Sequence, residues 1–381
     1  MNVLVYGDGQ LAQMMYLAGT PLGIAVNAVD VKTNTVVHPV SKAATGIDLS
    51  RAIAKADALT VEFEHVPEAL LKQASATGKL MPNIESILVG ADRVREKQLL
   101  ESHAIPNCKH IVVDDLAMLD RCVEQLGEKL IIKASRDGYD GYGQWRLQQA
   151  SQLPEIKQQL ASLDLHKVPL VVEQMVSFER ELSLLGVRNI YGDVKVYPLA
   201  ENLHHKGQLH VSVAPASDIT AGLQQQAQEI FTTLADALDY VGVLAVEMFQ
   251  CGDQLLVNEL APRVHNSGHW SIEGADVSQF ESHLRALNGL PMGNIDAQRK
   301  SAMINIIGCD EIDLKLLGIP GCHFHWYGKS VREKRKMGHI TLTANTYQAL
   351  GEKLEMLSKY VPNEHFPMLL SESAKLKQID G

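Results

Sequence analysis

The stretch Val243 to Trp270, VLAVEMFQCGDQLLVNELAPRVHNSGHW, constrains the fold of this chain more than any other. Two nearly continuous apolar runs flank Cys251-Gly252-Asp253, which reads as a β-hairpin, and each run carries one carboxylate, Glu247 or Glu259. A carboxylate buried in an apolar strand needs a partner or a metal. If three residues form the loop, Gln250 pairs with Gln254 and Glu247 with Val257. Glu259 then lies on the same face as Glu247, one diagonal step away. An even-length loop would put the two on opposite faces. Two hard carboxylates on one face suit Mg2+ shared with nucleotide phosphates, with Asn258 as an auxiliary oxygen ligand. The plainer alternative makes one glutamate an exposed edge residue. Arg263, His265, Asn266, Ser267 and His269 follow at once. The spacing of the two histidines matches a helical zinc pair, but Pro262 and Gly268 favour a loop. In a loop, these donors form a fixed array for an anion or a heterocycle.

The 381 residues, 46% hydrophobic, suggest two or three domains with ample core. A formal net charge of −10 without a basic block argues against a nucleic-acid partner. Five cysteines, never spaced as Cys-x-x-Cys, and no signal peptide fit a reducing compartment, so a cytoplasmic protein is expected. No apolar run approaches the roughly 20 residues that span a bilayer, so no membrane partner is expected.

Residues 2–6 read as a strand, Gly7 to Ala12 as a turn opening a helix, and 24–29 as a second strand ending in Asp30. This β-α-β unit opens a doubly wound domain. Its glycines fit an anion at the helix N-terminus, and Asp30 sits where a dinucleotide fold places its ribose acid. A tight turn alone also explains them. Glu62 and Glu64 end a further strand, and Asp92 can cap a helix that contains Arg93 and Lys97. Asp114 or Asp115 caps the next predicted helix. The strand ending at Lys133 leads into SRDGYDGYGQW, where Gly138, Gly141 and Gly143 suggest a loop that folds over phosphates. A Gly-rich hairpin turn fits the same pattern, with Tyr139 and Tyr142 only packing. Another apolar strand ends at Glu173, and Glu181 follows. Adjacent His204 and His205 face opposite sides of a strand and make poor joint ligands. Ser217 or Asp218 caps a long amphipathic helix, and Asp276 with Gln279 makes a capping-box-like start to a later one. Residues 301–381 read as a small β-rich domain whose cations, including Lys329 and Arg335, fit a phosphate site or a solvated basic hairpin.

Lys133, the loop from Gly138 to Gln144, Glu173, Glu181 and the Glu247/Asn258–Glu259 pair occur in the order of the ATP-grasp enzymes. More narrowly, the opening GDGQLA, GYDGYGQW, NELAPRVHNSGHW and the tail KSVREKRKMGHI resemble the 5-(carboxyamino)imidazole ribonucleotide synthases over essentially the whole chain. The resemblance implies an α/β ATP-grasp fold in four parts. These are an N-terminal pre-ATP-grasp domain (1–92), a lid (93–175), a catalytic domain (176–295) and a β-rich C-terminal domain (296–381). It implies ATP and Mg2+ as cofactors, bicarbonate and 5-aminoimidazole ribonucleotide (AIR) as substrates, and a homodimer. The implied product is the N-carboxylated ribonucleotide of purine synthesis, formed through carboxyphosphate.

The resemblance also assigns residues. ATP falls to Arg93, Lys133, the loop Gly138, Tyr139, Asp140, Gly141, Tyr142, Gly143 and Gln144, the strand end Glu173, Gln174, Met175 and Val176, and to Glu181, His204, Asn258 and Glu259. Glu247 and Glu259 hold the metal. Arg263, His265, Asn266, Ser267 and His269 serve the carboxyphosphate. Gln10, Tyr139, Asp140, Lys329 and Arg335 contact the ribonucleotide. Tyr142 stands where relatives often carry Arg, and Ala134 to Asp137 is less basic than usual, which bears on lid dynamics and ATP affinity. Other readings are formate- or glycine-dependent ligation on the same scaffold, a nicotinamide-dependent oxidoreductase using Gly7 to Ala12 with Asp30, and a non-catalytic nucleotide-binding subunit.

Overall fold

The computed structural model describes residues 1–136 and 143–379. Gly138, Tyr139, Asp140, Gly141 and Tyr142 of the glycine loop lie outside the described residues. Near the N-terminus, four strands run in the order Thr35–Val37, Ala25–Asp30, Asn2–Tyr6 and Ala58–Val61, parallel except for the first. Val3 and Val5 pack into one core with Leu11 and Met15, while Leu4 and Tyr6 pack into another with Ile53 and Leu70. With both faces covered, the strands read as continuous apolar runs rather than as alternation.

A separate antiparallel sheet follows, in the order His110–Val113, Leu170–Gln174, Leu130–Ala134 and Gln144–Leu147. Helices Met118–Leu126 and Leu153–Leu160 bring Leu119, Cys122 and Leu160 against its Ile132 and Val172. The first of these helices begins beyond both aspartates: its N-cap is Ala117, and Asp115 instead accepts from the Ala117 N–H at 2.9 Å.

The third sheet joins the carboxylate hairpin to the C-terminal strands. Its order is Gln254–Ala261, Gly242–Cys251, Arg180–Arg188, Ala200–His205, Gln208–Ala214, Lys300–Ile307, Lys336–Ala344 and Cys322–Trp326. The short strand Val194–Val196 also pairs with Arg180–Arg188. The tail strands therefore extend the sheet that carries the carboxylate hairpin, and helices Tyr347–Leu357 and Leu369–Leu376 close a core over them. Helix Ala221–Ala237 covers one face of the catalytic strands, and helix Gln279–Leu287 packs into the core on the other.

Two caps differ from the sequence reading. Asp218 adopts φ 53 and belongs to the preceding turn, so Thr220 caps helix Ala221–Ala237 by accepting from the Leu223 N–H at 3.2 Å. Ser278, accepting from Glu281, caps the later helix, which leaves Gln279 free to turn inward. Among the described residues, no helix is long and apolar enough to cross a membrane.

The C-terminal helix buries Glu372, which is 2% exposed, and burial pushes its carboxyl up to about 7. A carboxyl raised in the folded state favours the protonated fold. Its contribution is present below the ordinary carboxylate range and is lost as pH rises through 7. Glu372→Gln is therefore expected to raise stability at pH 8, by up to ~3 kcal/mol, and to change little near pH 5. Thermal melts at the two pH values check this.

Candidate active site

The carboxylate hairpin closes differently from the sequence reading and arrives at the same face. Cys251 pairs with Gln254, so the turn holds two residues, not three. Such an even turn alone would separate the glutamates. A bulge corrects it: Met248 faces Val257 while Glu247 faces Glu259, so Asn258 is the extra residue. Glu247 and Glu259 are thus direct cross-strand neighbours, closer than the diagonal expected from a three-residue loop.

The two carboxylates differ electrically. Burial would raise Glu259, but Arg93 and Lys133 outweigh it and hold the carboxyl below its ordinary range. Arg93 Nη1 lies 3.2 Å from Glu259 Oε2. Burial pushes Glu247 up to about 7, with His204 opposing and Glu259 adding to the rise. The pair is short of positive charge at Glu247, and a divalent cation would supply it. Among the described residues, no group of three or more His, Cys, Asp or Glu side chains could hold a metal by itself. Mg2+ that completes its shell with phosphates and water needs only one or two carboxylates.

Lys133 ends its strand beside this pair, with Nζ 2.6 Å from Glu173 Oε2 and 3.2 Å from Asn258 Oδ1. Lys97, which did not enter the set of site residues read from sequence, takes the other oxygen of Glu173 at 2.7 Å. Burial would raise Glu173, yet the two lysines hold it down at about 2. Both of its oxygens are thus ion-paired, at the head of the segment Gln174, Met175 and Val176. Glu181 and His204 come together on adjacent strands, with His204 Nδ1 3.1 Å from Glu181 Oε2. Gln144 begins the strand that pairs with Lys133, and Gly143 O accepts from the Ala134 N–H at 2.8 Å.

The loop after the hairpin is built around buried Gln279. Gln279 accepts from the His265 N–H at 2.8 Å and donates to His265 O at 2.7 Å and to His269 Nδ1 at 3.1 Å. Gly268 leaves no room for a side chain, because a Cβ there would run into Leu185 Cδ2 and fall 2.9 Å from the Gln279 amide carbon. His265 accepts from Ser267 and turns Nε2 toward Glu247 Oε1 at 3.6 Å. Burial and Arg263 hold His265 well below the ordinary imidazole range, so it faces Glu247 as a neutral ring. Arg263 pairs with Glu64 at 2.8 Å, which joins this loop to the strand end from the N-terminal sheet. The helical zinc pair does not form: His265 sits in extended backbone, and His269 is fully buried against Gln279.

Three contacts spaced along this loop lock it to the tail strands. Asn266 exchanges amide hydrogen bonds with Asn305 at 3.0 and 2.7 Å, His269 packs on His339, and Glu273 binds His325 at 2.7 Å. Asn305, His339 and His325 are register partners across three adjacent strands.

The same tail reaches the N-terminal sheet. Lys329 donates to Gln10, which brings together two residues that the resemblance assigned to the ribonucleotide, and Gln13 donates to Trp326 O at 3.5 Å. Arg335 stands near Lys329 and donates to Ser330 Oγ at 2.9 Å. The start of helix Gln10–Gly19 is not open to a dinucleotide pyrophosphate: Glu62 accepts from the Gly9 and Ala12 N–H groups. A Cβ on Gly9 would lie 2.7 Å from Glu62 Oε1, so this glycine makes room for Glu62. Asp30 closes a local turn onto Lys32 and Thr33.

A lid sheet beside an antiparallel sheet whose hairpin carries paired acids is the architecture of the ATP-grasp ligases. Family models agree: an ATP-grasp domain matches residues 98–280, a ribonucleotide synthetase preATP-grasp domain residues 1–90, and a phosphoribosylaminoimidazole carboxylase C-terminal domain residues 301–353. The chain belongs to the N5-carboxyaminoimidazole ribonucleotide synthase family. It is 46% identical to the synthase of Vibrio cholerae over 96% of this chain and 97% of that one, and 38% identical to that of Escherichia coli over 96% of each. The crystal structure of the Thermus thermophilus synthetase superposes with a TM-score of 0.84 at 38% identity, covering 94% of this chain and 98% of that one. The Aspergillus clavatus synthase, solved with ADP and 5-aminoimidazole ribonucleotide, gives a TM-score of 0.80 at 28% identity over 98% of both chains. The protein is an ATP-dependent ligase that carboxylates AIR in purine biosynthesis.

Proposed function

We propose that the reaction proceeds by attack of a bicarbonate oxygen on the γ-phosphorus of ATP, with ADP leaving. The carboxyphosphate so formed carboxylates the exocyclic amine of AIR and releases phosphate. The observation that carries this reading is the bulge that sets Glu247 opposite Glu259 beside Lys133. Glu247, Glu259 and Asn258 would hold Mg2+, which supplies charge neutralisation at the phosphate oxygens. Arg93 and Lys133 hold phosphates, Gln174 to Val176 meets the adenine, and Glu181 with His204 orients the ribose. Arg263 and the His265 to His269 loop hold bicarbonate and its phosphate ester away from water. Gln10, Lys329 and Arg335 take the ribonucleotide, Lys329 and Arg335 its phosphate. The reading assigns Gly138, Gly141, Tyr142, Gly143 and Gln144 of the glycine loop to the ATP phosphates, and Tyr139 and Asp140 to AIR.

The domain bounds 1–92, 93–175, 176–295 and 296–381, a homodimer and a cytoplasmic location belong to the same reading. Buried, unbridged Cys108, Cys122 and Cys309 support a reducing compartment. Sedimentation velocity tests the dimer. Bicarbonate labelled with 18O tests the chemistry: one labelled oxygen is expected in each phosphate released, and phosphate free of label would overturn the carboxyphosphate step.

Because metal-free Glu247 titrates near 7 while Glu259 stays below the ordinary range, the acidic pair is expected to release protons on binding Mg2+. Mg2+ affinity should fall as pH drops from 8 to 6, and calorimetry in buffers of different ionisation enthalpy reads the proton count.

A further inference from the structure

Helix Arg93–Ser102 turns one face toward the site, and three charged residues on it sit at i, i+3 and i+4. Arg93 reaches Glu259, Glu96 accepts from the Leu260 N–H at 2.7 Å, and Lys97 reaches Glu173. The Lys97 side chain is 2% exposed and that of Glu173 4%, whereas that of Lys133 is 10% exposed and its Nζ also lies 3.2 Å from Asn258 Oδ1, next to Glu259 in the hairpin. Lys97 is also held from behind. It donates to Asn107 Oδ1 at 3.4 Å, and Asn107 bridges to Val257 in the carboxylate hairpin. The Lys133 strand is fixed to the same helix, because Arg93 N donates to Ser135 O at 2.9 Å and Arg136 pairs with the cap Asp92 at 2.7 Å.

Glu173 thus has two lysines, one immobile and one bordering the site. If Lys133 were the sole partner, its move toward an anion would strand a buried carboxylate, a cost of several kcal/mol. With Lys97 in place, the cluster carries one positive charge in excess before any ligand arrives. We propose that Lys97 is a positioning residue, the standing counter-ion of Glu173, which leaves Lys133 free to engage the ATP phosphates. This rests on the reading of Lys133 as a phosphate contact.

ATP affinity measured by calorimetry on the full chain, with the KM for AIR as a control, tests it. Lys97→Met is expected to weaken ATP at least tenfold with the KM for AIR within twofold, because Lys133 is then bound to Glu173 as its only cation. Lys97→Met combined with Glu173→Gln removes that hold and is expected to return ATP affinity to within about threefold of the unsubstituted protein. Lys97→Arg should behave like the unsubstituted protein. A purely structural role makes the double variant at least as weak as the single one, and that result overturns the proposal. If Lys97→Met does not fold, the double variant decides against Lys133→Ala: ATP binding as weak as in Lys133→Ala overturns the proposal. Loss of ATP affinity in Lys133→Ala but not in Lys97→Met overturns the role of Lys97 alone. Undiminished ATP affinity in Lys133→Ala overturns the reading beneath it as well.

Discussion

Glu259→Gln is expected to lower kcat/KM for bicarbonate- and AIR-dependent ADP formation by roughly 10³-fold, the several kcal/mol that a metal held by Glu259 would supply as charge neutralisation. The substitution keeps the size of the side chain and removes the charge. Across the bulge, Glu247 would then face an amide, and the metal would lose the carboxylate that Arg93 and Lys133 hold below its ordinary range. Arg93 would lose its partner at 3.2 Å. The Glu259 side chain is 43% exposed, so the fold should tolerate the change with a shift of only a few degrees in Tm. Raising Mg2+ should recover part of the loss. Turnover within tenfold of the unsubstituted protein would remove Glu259 from the metal site.

Lys329→Ala is expected to raise the KM for AIR by roughly 10- to 100-fold, the range for losing one hydrogen-bonded charge, while the KM for ATP stays within twofold. Lys329 is held by Gln10 across the contact between tail and N-terminal sheet, far along the chain from the ATP residues. Burial, with Arg335 nearby, lowers its ammonium to about 8. A lowered lysine is charged below that value and neutral above it. AIR affinity should therefore decline above pH 8, and Lys329→Arg should move the decline to higher pH, since a guanidinium keeps its charge. Equal effects on the KM values of AIR and ATP would mean that the tail does not serve the ribonucleotide.

Much of this was legible in the sequence because periodicity and motif order survive folding. The apolar strands and the cap at Asp92 follow from periodicity, while only the resemblance grouped Lys133 with Asn258, Glu181 with His204, and Gln10 with Lys329, which the structure brings into contact. The hairpin was legible only in outcome. Counting loop residues gives three, yet two form the turn, and the bulge at Asn258 restores the parity. Bulges leave no trace in hydrophobic alternation when both strands are apolar throughout. The double ion pair of Glu173 was hidden because its second partner, Lys97, lies 76 positions away in sequence. The spacing Arg93, Glu96, Lys97 was the available signal: three charges on one helical face facing a core are not a solvated face. Gln279 was hidden by its resemblance to a capping residue, although it holds the His265 loop. The glycines of Gly7 to Ala12 resembled a pyrophosphate cradle, and only the structure places Glu62 there.

The most direct test of the central claim is ADP formation measured with AIR and bicarbonate each present or omitted in turn. Rapid ADP release is expected only with both, with one N-carboxylated ribonucleotide formed per ADP. Release supported equally well by formate or glycine in place of bicarbonate, or undiminished by omission of AIR, would contradict the assignment.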